Sequence, residues 1–142
     1  MKKTNPGPIN LSTVKKRDFE GVALRFLPLS ARKFGFTVLH ESVPAFTDTP
    51  PNLHKHTWEF VFVLAGRADA YLDSRHYSLK KGDMFSIPAG VYHRFKTGKS
   101  SLAAISVFSP PINFRKPDVH VLNKTKANDP RKKASTGAGR SK

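Results

Sequence analysis

The stretch HKHTWE at residues 54–59 and the stretch GDMFSIPAGVYH at residues 82–93 decide the fold of this chain. Apolar, strand-like runs such as FVFVL at residues 60–64 lie between them and end in turn residues. Three histidines and one glutamate therefore stand near the ends of predicted strands, where turns can bring them together. This arrangement predicts one mononuclear metal site inside a small β-barrel.

Short strand-like runs surround these two stretches, and glycine, proline or aspartate ends nearly all of them. No segment of ten or more residues has a persuasive helical period. Many short, regularly spaced strands are typical of an antiparallel sandwich or a jelly-roll barrel. The predicted strands cover residues 22–27, 34–40, 59–64, 69–72, 76–79, 84–87, 91–95 and 102–108.

At 142 residues the chain is long enough for one domain with a real core and too short for two. We expect a β-barrel domain over residues 18–114, a flexible basic arm over residues 1–17 and a basic, mostly disordered tail over residues 115–142. Within this tail, residues 118–122 are apolar enough to add a short edge strand. Beyond them, small and basic residues cannot bury enough apolar surface to offset the entropy of ordering.

The residue types that are missing narrow the function. The chain has no cysteine, which excludes disulfides and thiolate ligands, so a metal must be held by histidine, carboxylate or water. No apolar run approaches the ~20 residues of a membrane helix, and the N-terminus lacks the apolar segment of a signal peptide. These features predict a cytoplasmic protein without a membrane partner.

The net charge of +15 is concentrated at the ends of the chain. Residues 1–17 contribute +5 and residues 115–142 contribute +7, which leaves +3 for the middle segment. The densest basic clusters are residues 15–17 and 131–133, and the tail offers no aromatic side chains for base stacking. Solvated, disordered tails are therefore preferred over nucleic-acid binding, which stays as a minor alternative.

The four candidate ligands differ in how their sequence context supports them. His54 and His56 are two apart, so on a strand both side chains project from one face. Glu59 opens an apolar run, where a buried carboxylate is costly unless it is paired or binds a metal. His93 follows a Pro-Ala-Gly turn. The alternatives are two surface histidines, an exposed or ion-paired glutamate, and a hydrogen-bonded structural histidine.

These residues resemble the two sequence motifs of the cupin superfamily. The pattern Gly82-x5-Pro88-x-Gly90-x2-His93 matches the second motif, although Thr97 replaces its final asparagine. The first motif is matched at its start by His54-x-His56 and at its end by Glu59-x6-Gly66. The space between His56 and Glu59 is at least one residue shorter than usual, which leaves a site of three histidines open as an alternative.

The resemblance implies an all-β jelly roll, or double-stranded β-helix, of six to eight strands. It implies that His54, His56, Glu59 and His93 converge on one divalent ion, which would be Mn, Fe, Co, Ni or Zn. It also implies a homodimer. Aromatic residues near the motifs are candidates for a ligand pocket: Trp58, Tyr71, Phe85 and Tyr92.

Two function classes fit this pattern, and catalytic residues cannot be named for either. The first is a metal-dependent enzyme, such as a dioxygenase, isomerase, epimerase or lyase, acting on a small polar molecule. The second is a non-catalytic ligand sensor, because residues 53–95 also resemble the sensor half of AraC-type transcription regulators. Only 28 residues follow Phe114, too few for the helical DNA-binding half of such a regulator.

Overall fold

The computed structural model describes residues 7–28, 31–113 and 115–122. This part of the chain forms ten strands and two short helices. The elements are a 3-10 turn at Leu11–Thr13, β1 (Lys16–Phe19), β2 (Val22–Phe26), α1 (Ala31–Phe34), β3 (Thr37–Val43), β4 (Asn52–His54), β5 (Trp58–Leu72), β6 (Arg75–Lys80), β7 (Met84–Ile87), β8 (His93–Lys96), β9 (Leu102–Ser109) and β10 (Val119–Val121). Within these ranges, neither helix has the length and apolar character needed to span a bilayer.

All strand pairs are antiparallel, and β5 belongs to both layers of the barrel. Its first half pairs with β9 and β7, and β9 continues through β3 and β2 to β1. Its second half pairs with β6 and β8, and β8 continues through β4 to β10. A sheet that curls in this way is the jelly roll that the sequence predicts, so the fold prediction is confirmed.

Gly66 lets β5 pass from one layer to the other. Its φ is +83°, and a Cβ atom at this position would lie 1.7 Å from the carbonyl oxygen of Ser101. The register between β5 and β9 also shifts between Val63 and Ala65. The sequence predicts two strands separated at Ala65-Gly66, which is wrong, because the bulge and the glycine turn the strand without ending it.

Side chains along β5 alternate between the interior and the outside of the barrel. Glu59, Val61 and Val63 are buried, whereas Trp58 and Phe60 are 53% and 41% exposed. This period of two is the ordinary geometry of a strand with one covered face. It explains how a carboxylate at the start of an apolar run comes to face the interior.

The apolar core packs beside an interior cavity. One cluster of buried residues includes Val43, Val63, Ala70 and Leu102, and Val43 also lines the cavity. Thr97, which replaces the motif's asparagine, is buried; its hydroxyl donates to the Pro44 carbonyl and accepts the N–H of Thr47. These contacts fix the loop that leads from β3 toward β4.

The two ends of the described chain add strands to the barrel. Strand β1 begins at Lys16 and forms a hairpin with β2. Strand β10 pairs with β4, as expected of a short edge strand at residues 118–122. The predicted disorder after residue 123 and the basic cluster at residues 131–133 lie outside the described residues. The proposed domain boundaries stay predictions.

Candidate metal centre

Three of the predicted ligands meet at one point inside the barrel. His54 ends β4, Glu59 is the second residue of β5, and His93 begins β8. One ligand atom from each side chain lies within 4.8 Å of the others. The turn before His93 is held against β4, because the N–H of Gly90, whose φ is +83°, donates to the His54 carbonyl at 2.7 Å.

The cluster is enclosed by the protein. Glu59 and His93 are each 4% exposed, and the side chain of His54 is 13% exposed. Nε2 of His93 lies 3.5 Å from Oε2 of Glu59. The rings of His54 and His93 are 6.1 Å apart and nearly parallel, at 19°. The nitrogens and the carboxylate therefore converge from three different strands.

The outer contacts of the two histidines determine which ring nitrogen carries a proton. His54 Nδ1 lies 3.1 Å from Oδ1 of Asp118, and His93 Nδ1 lies 3.1 Å from the Val91 carbonyl oxygen. A carboxylate and a carbonyl only accept, so each Nδ1 is the donor and each neutral ring keeps its lone pair on Nε2. Metal-bound histidines use the same arrangement.

Burial keeps both histidines neutral. It lowers the pKa of His54, although the hydrogen bond to Asp118 works in the opposite direction. It also lowers the pKa of His93, against the bond to the Val91 carbonyl. Asp118 is the reverse case: burial opposes ionisation, but hydrogen bonds from His56, His54 and Thr57 hold its pKa at about 2. Two neutral imidazoles and an ionised outer carboxylate are what a cation site requires.

A second carboxyl group, Glu41 of β3, lies in the same interior. Burial raises the pKa of Glu59 to about 7, and the nearby Ser106 hydroxyl partly offsets this effect. Burial raises the pKa of Glu41 to about 8, and the charge of Glu59 adds to the rise. Two imidazole lone pairs and one buried carboxylate form a donor set that suits a divalent transition metal. The residues present therefore fit such an ion.

A cavity of about 290 Å³ contains the cluster. Twelve of the twenty residues that line it are apolar, and none of the twenty is a lysine or an arginine. Four of the chain's ten acidic residues line it, namely Glu20, Glu41, Glu59 and Asp118. The interior is thus apolar and acidic in a protein that is strongly basic overall.

His56 lies apart from the three clustered side chains. It is exposed, and its backbone N–H donates to Oδ2 of Asp118 at 2.9 Å. Strand β4 ends at His54, so the alternation that would place both histidines on one face does not extend to residue 56. Residues 55–57, between the end of β4 and the start of β5, form a turn, and His56 lies in it.

The four aromatic residues expected near a pocket do not line this cavity. Trp58 is on the outer face, the guanidinium of Arg94 lies 4.0 Å from the Tyr71 ring centroid, and Phe85 packs on the core. Tyr92 lies outside the lining as well, 6.4 Å from the ring of His120. The aromatic wall consists of Phe19, Phe26, Phe95 and Phe108.

Two residues of the site were missed by the sequence interpretation. Glu41 shares the parity of the buried Leu39 and Val43 along β3, but Val38 and His40 on the other parity are buried as well. The sequence pattern therefore gave only a weak signal that Glu41 faces inward. Asp118 lies in the segment predicted to be a tail, next to three apolar residues, and gave no comparable signal. Its contacts with His54 arise from pairing between distant strands.

A family comparison supports the sequence resemblance. Residues 39–108, which contain β4 to β8 and the three clustered side chains, match the family model of the cupin domain. The chain carries a cupin domain. A search of the curated proteins found no match for the sequence.

Solved cupin-like structures have the same architecture at low sequence identity. A variant of Pac13 from Streptomyces, a nucleoside dehydratase solved with uridine, has a TM-score of 0.68 at 14% identity, covering 84% of this chain and 92% of its own. The polyketide cyclase RemF from Streptomyces resistomycificus has a TM-score of 0.68 at 21% identity, with coverage of 83% and 87%. The cupin domain of Cnp3 from Schizosaccharomyces pombe has a TM-score of 0.63 at 19% identity, with coverage of 72% and 73%. These likenesses establish the fold.

Proposed function

We propose that this cupin binds one divalent metal ion through His54, Glu59 and His93 and uses it to act on a small molecule held in the cavity. The observation that carries the proposal is the convergence of the three ligand atoms within 4.8 Å inside that cavity. The ion would be Mn, Fe, Co, Ni or Zn. When bound, it would supply Lewis acidity toward an oxygen atom of the molecule beside it.

The reaction class proposed is proton transfer without oxidation, as in a lyase or an isomerase. Glu41 supports this choice because its carboxyl group lines the same cavity but is not part of the three-residue cluster. A carboxyl group in that place can hold a proton or transfer one to a bound molecule. A nucleoside dehydratase and a polyketide cyclase have the same fold, so it accommodates chemistry other than oxidation.

The substrate proposed is small, largely apolar and not anionic. The wall is mostly apolar, and the described residues that line it include no lysine or arginine to pair with a phosphate or carboxylate. The volume of about 290 Å³ is at the lower end for small-molecule sites. A molecule with an apolar body and a hydroxyl or carbonyl group near the histidines fits best.

An oxygenase is the second candidate, and the donor set favours it. Two histidines and one carboxylate are the ligands of many non-haem iron oxygenases. The two enzyme classes differ in their need for dioxygen. A ligand sensor would have the same metal site without turnover.

The test is to load the protein with each metal and incubate it with a library of small hydroxylated molecules, with and without air. Liquid chromatography coupled to mass spectrometry then separates the candidates, because it resolves isomers as well as mass changes. Loss of one water, or a rearrangement without mass change, in the absence of air supports the proposal. Oxygen incorporation only in air supports an oxygenase. Ligand binding without turnover supports a sensor, and no bound metal contradicts the proposed site.

The substrate class has its own test with a matched pair of probes, uridine and its 5′-phosphate. The two differ only in the anionic group, so the apolar, acidic wall should favour the neutral molecule. Ligand-detected NMR on the metal-free protein, where no cation can bind the phosphate, should show weaker binding of the phosphate. Tighter binding of the phosphate would contradict a non-anionic substrate.

We also propose a homodimer that forms through the outer face of β5 and β7. Trp58, Phe60 and Met84 are 53%, 41% and 60% exposed on these neighbouring strands. Exposed apolar patches of this kind commonly mark protein interfaces. Light scattering should show a dimer for the natural chain and a monomer for Phe60→Lys; a monomeric natural chain would contradict the proposal. Cytoplasmic location stays an untested prediction, and nucleic-acid binding through the basic ends stays an untested minor alternative.

A further inference from the structure

We propose that Asp118 is a positioning residue for the metal ligand His54, and that it links metal binding to the docking of the segment at residues 115–122. This inference rests on the proposed function. Asp118 lies outside the matched cupin region at residues 39–108, and it reaches the site from the position just before β10.

Asp118 holds the whole turn that separates two of the proposed ligands. Its Oδ1 accepts from His54 Nδ1 at 3.1 Å, and its Oδ2 accepts the N–H groups of His56 at 2.9 Å and Thr57 at 3.0 Å. Its backbone carbonyl accepts the N–H of Lys55 at 3.1 Å. One residue therefore fixes the chain from the end of β4 to the start of β5.

The three side-chain contacts of Asp118 require a group that only accepts. Every partner is an N–H group, and an ionised carboxylate offers both oxygens as acceptors. An asparagine of the same shape would present one NH2 group to these donors. It would then lose the turn contacts, or it would donate to His54 Nδ1 and move the ring proton to Nε2, the nitrogen proposed to bind the metal.

The segment that carries Asp118 also completes the cavity. Val119 pairs with His54, the N–H of Leu122 donates to the Pro51 carbonyl at 2.8 Å, and Pro117 and Val119 line the cavity wall. Docking of the segment and orientation of His54 thus depend on the same contacts. Because such coupling is reciprocal, a metal bound at His54 stabilises the docked segment.

The test compares Asp118→Asn with Asp69→Asn in the full chain, using Zn²⁺ as the probe. Asp69 is a matched control, because its Oδ1 lies 2.8 Å from His76 Nε2 on the exposed surface, away from the cavity lining. We expect Asp118→Asn to weaken Zn²⁺ binding about 10- to 100-fold, the usual effect of losing an outer partner of a metal-bound histidine. Asp69→Asn should change binding by less than about twofold.

A double-mutant cycle separates positioning from general support of the fold. If Asp118 acts through His54, then Asp118→Asn should cause little further loss of Zn²⁺ affinity in a chain that already carries His54→Ala. An equal loss with and without His54 would overturn the positioning role. NMR of the metal-free protein should show the His54 proton on Nδ1 in the natural chain, and its presence on Nε2 would also overturn it.

Hydrogen exchange tests the link to the segment. Zn²⁺ should slow exchange of the Val119–Val121 amides in the natural chain and in Asp69→Asn, and much less in Asp118→Asn. If the natural chain and Asp118→Asn bind Zn²⁺ equally, this inference fails while the proposed function stands. If the natural chain binds none of Zn²⁺, Mn²⁺, Fe²⁺, Co²⁺ and Ni²⁺, both fail.

Discussion

The two sequence stretches that supply the proposed ligands are held in different ways. In the second stretch the support is local, because His93 Nδ1 contacts the carbonyl of Val91 two residues earlier. In the first stretch the support is distant, because Asp118 holds both His54 and the turn after it. The position of His93 therefore depends on residues next to it in sequence, whereas the position of His54 depends on a residue that is distant in sequence.

The largest expected effect on stability is at Gly66, where β5 passes from one layer of the barrel to the other. Gly66→Ala would put a Cβ 1.7 Å from the Ser101 carbonyl oxygen at a φ of +83°. We expect a loss of at least about 3 kcal/mol in the free energy of unfolding, from steric overlap and backbone strain. Urea unfolding would measure it. Gly98→Ala is the control, since open space surrounds that position, and equal losses in the two variants would contradict the account.

The next largest effect is on Zn²⁺ affinity, and it distinguishes the distant contact of His54 with Asp118 from the local contacts around His93. Asp73 belongs to the second stretch's surroundings, and its Oδ1 accepts the N–H of Tyr92 at 2.9 Å, beside His93. Asparagine can also accept that bond and tolerates the φ of +48° found at Asp73. Asp73→Asn should therefore change Zn²⁺ affinity by less than about threefold, against about 10-fold or more for Asp118→Asn. Titration of both variants measures the difference, and the reverse order would contradict it.

The two carboxyl groups of Glu41 and Glu59, which line the cavity, should produce a smaller effect on stability that depends on pH. Burial raises the pKa of Glu41 to about 8 and that of Glu59 to about 7, so the metal-free folded state binds more protons than the unfolded state above the ordinary value of 4.5. These two groups therefore contribute their full stabilisation of the metal-free folded state below pH 4.5. This stabilisation is lost as the pH rises toward about 8.

Neutral glutamine should remove this penalty. Glu41→Gln and Glu59→Gln should each stabilise the metal-free protein at about pH 8, by roughly 1–3 kcal/mol, and have little effect near pH 4. Only Glu59→Gln should lose Zn²⁺ binding. Thermal unfolding at both pH values, with and without Zn²⁺, gives the answer. Destabilisation of both metal-free variants at the higher pH would show that the carboxylates are paired rather than strained by burial.

The features that depend on local contacts could be predicted from the sequence, and those that depend on distant contacts could not. The jelly roll was predictable because short alternating runs and turn residues encode it locally. The place of His93 could be anticipated for the same reason, since its turn lies directly before it. Leu39, Glu41 and Val43 share one parity of β3, which puts Glu41 on the side of two buried residues. Val38 and His40 are buried on the other parity, so this pattern is weak evidence that Glu41 faces the interior.

The rest required the three-dimensional pairing of strands. The spacing of His54 and His56 suggested one face of a strand, but β4 ends at His54 and leaves His56 in the turn. That turn depends on Asp118, which is 64 residues from His54 along the chain. Proximity in sequence also did not identify the aromatic residues of the cavity. Trp58 is exposed on the outer face of β5, and Phe85 faces the interior but packs on the apolar core instead of lining the cavity.

The most direct test of the central claim is Zn²⁺ affinity in His54→Ala and His56→Ala, measured side by side. The two residues are the same type, two positions apart, and only His54 belongs to the clustered set. We expect His54→Ala to lose more than about 100-fold in affinity, beyond the effect of an outer partner, and His56→Ala to lose less than about threefold. Equal losses in the two variants, or a larger loss for His56→Ala, would contradict a metal centre built from His54, Glu59 and His93.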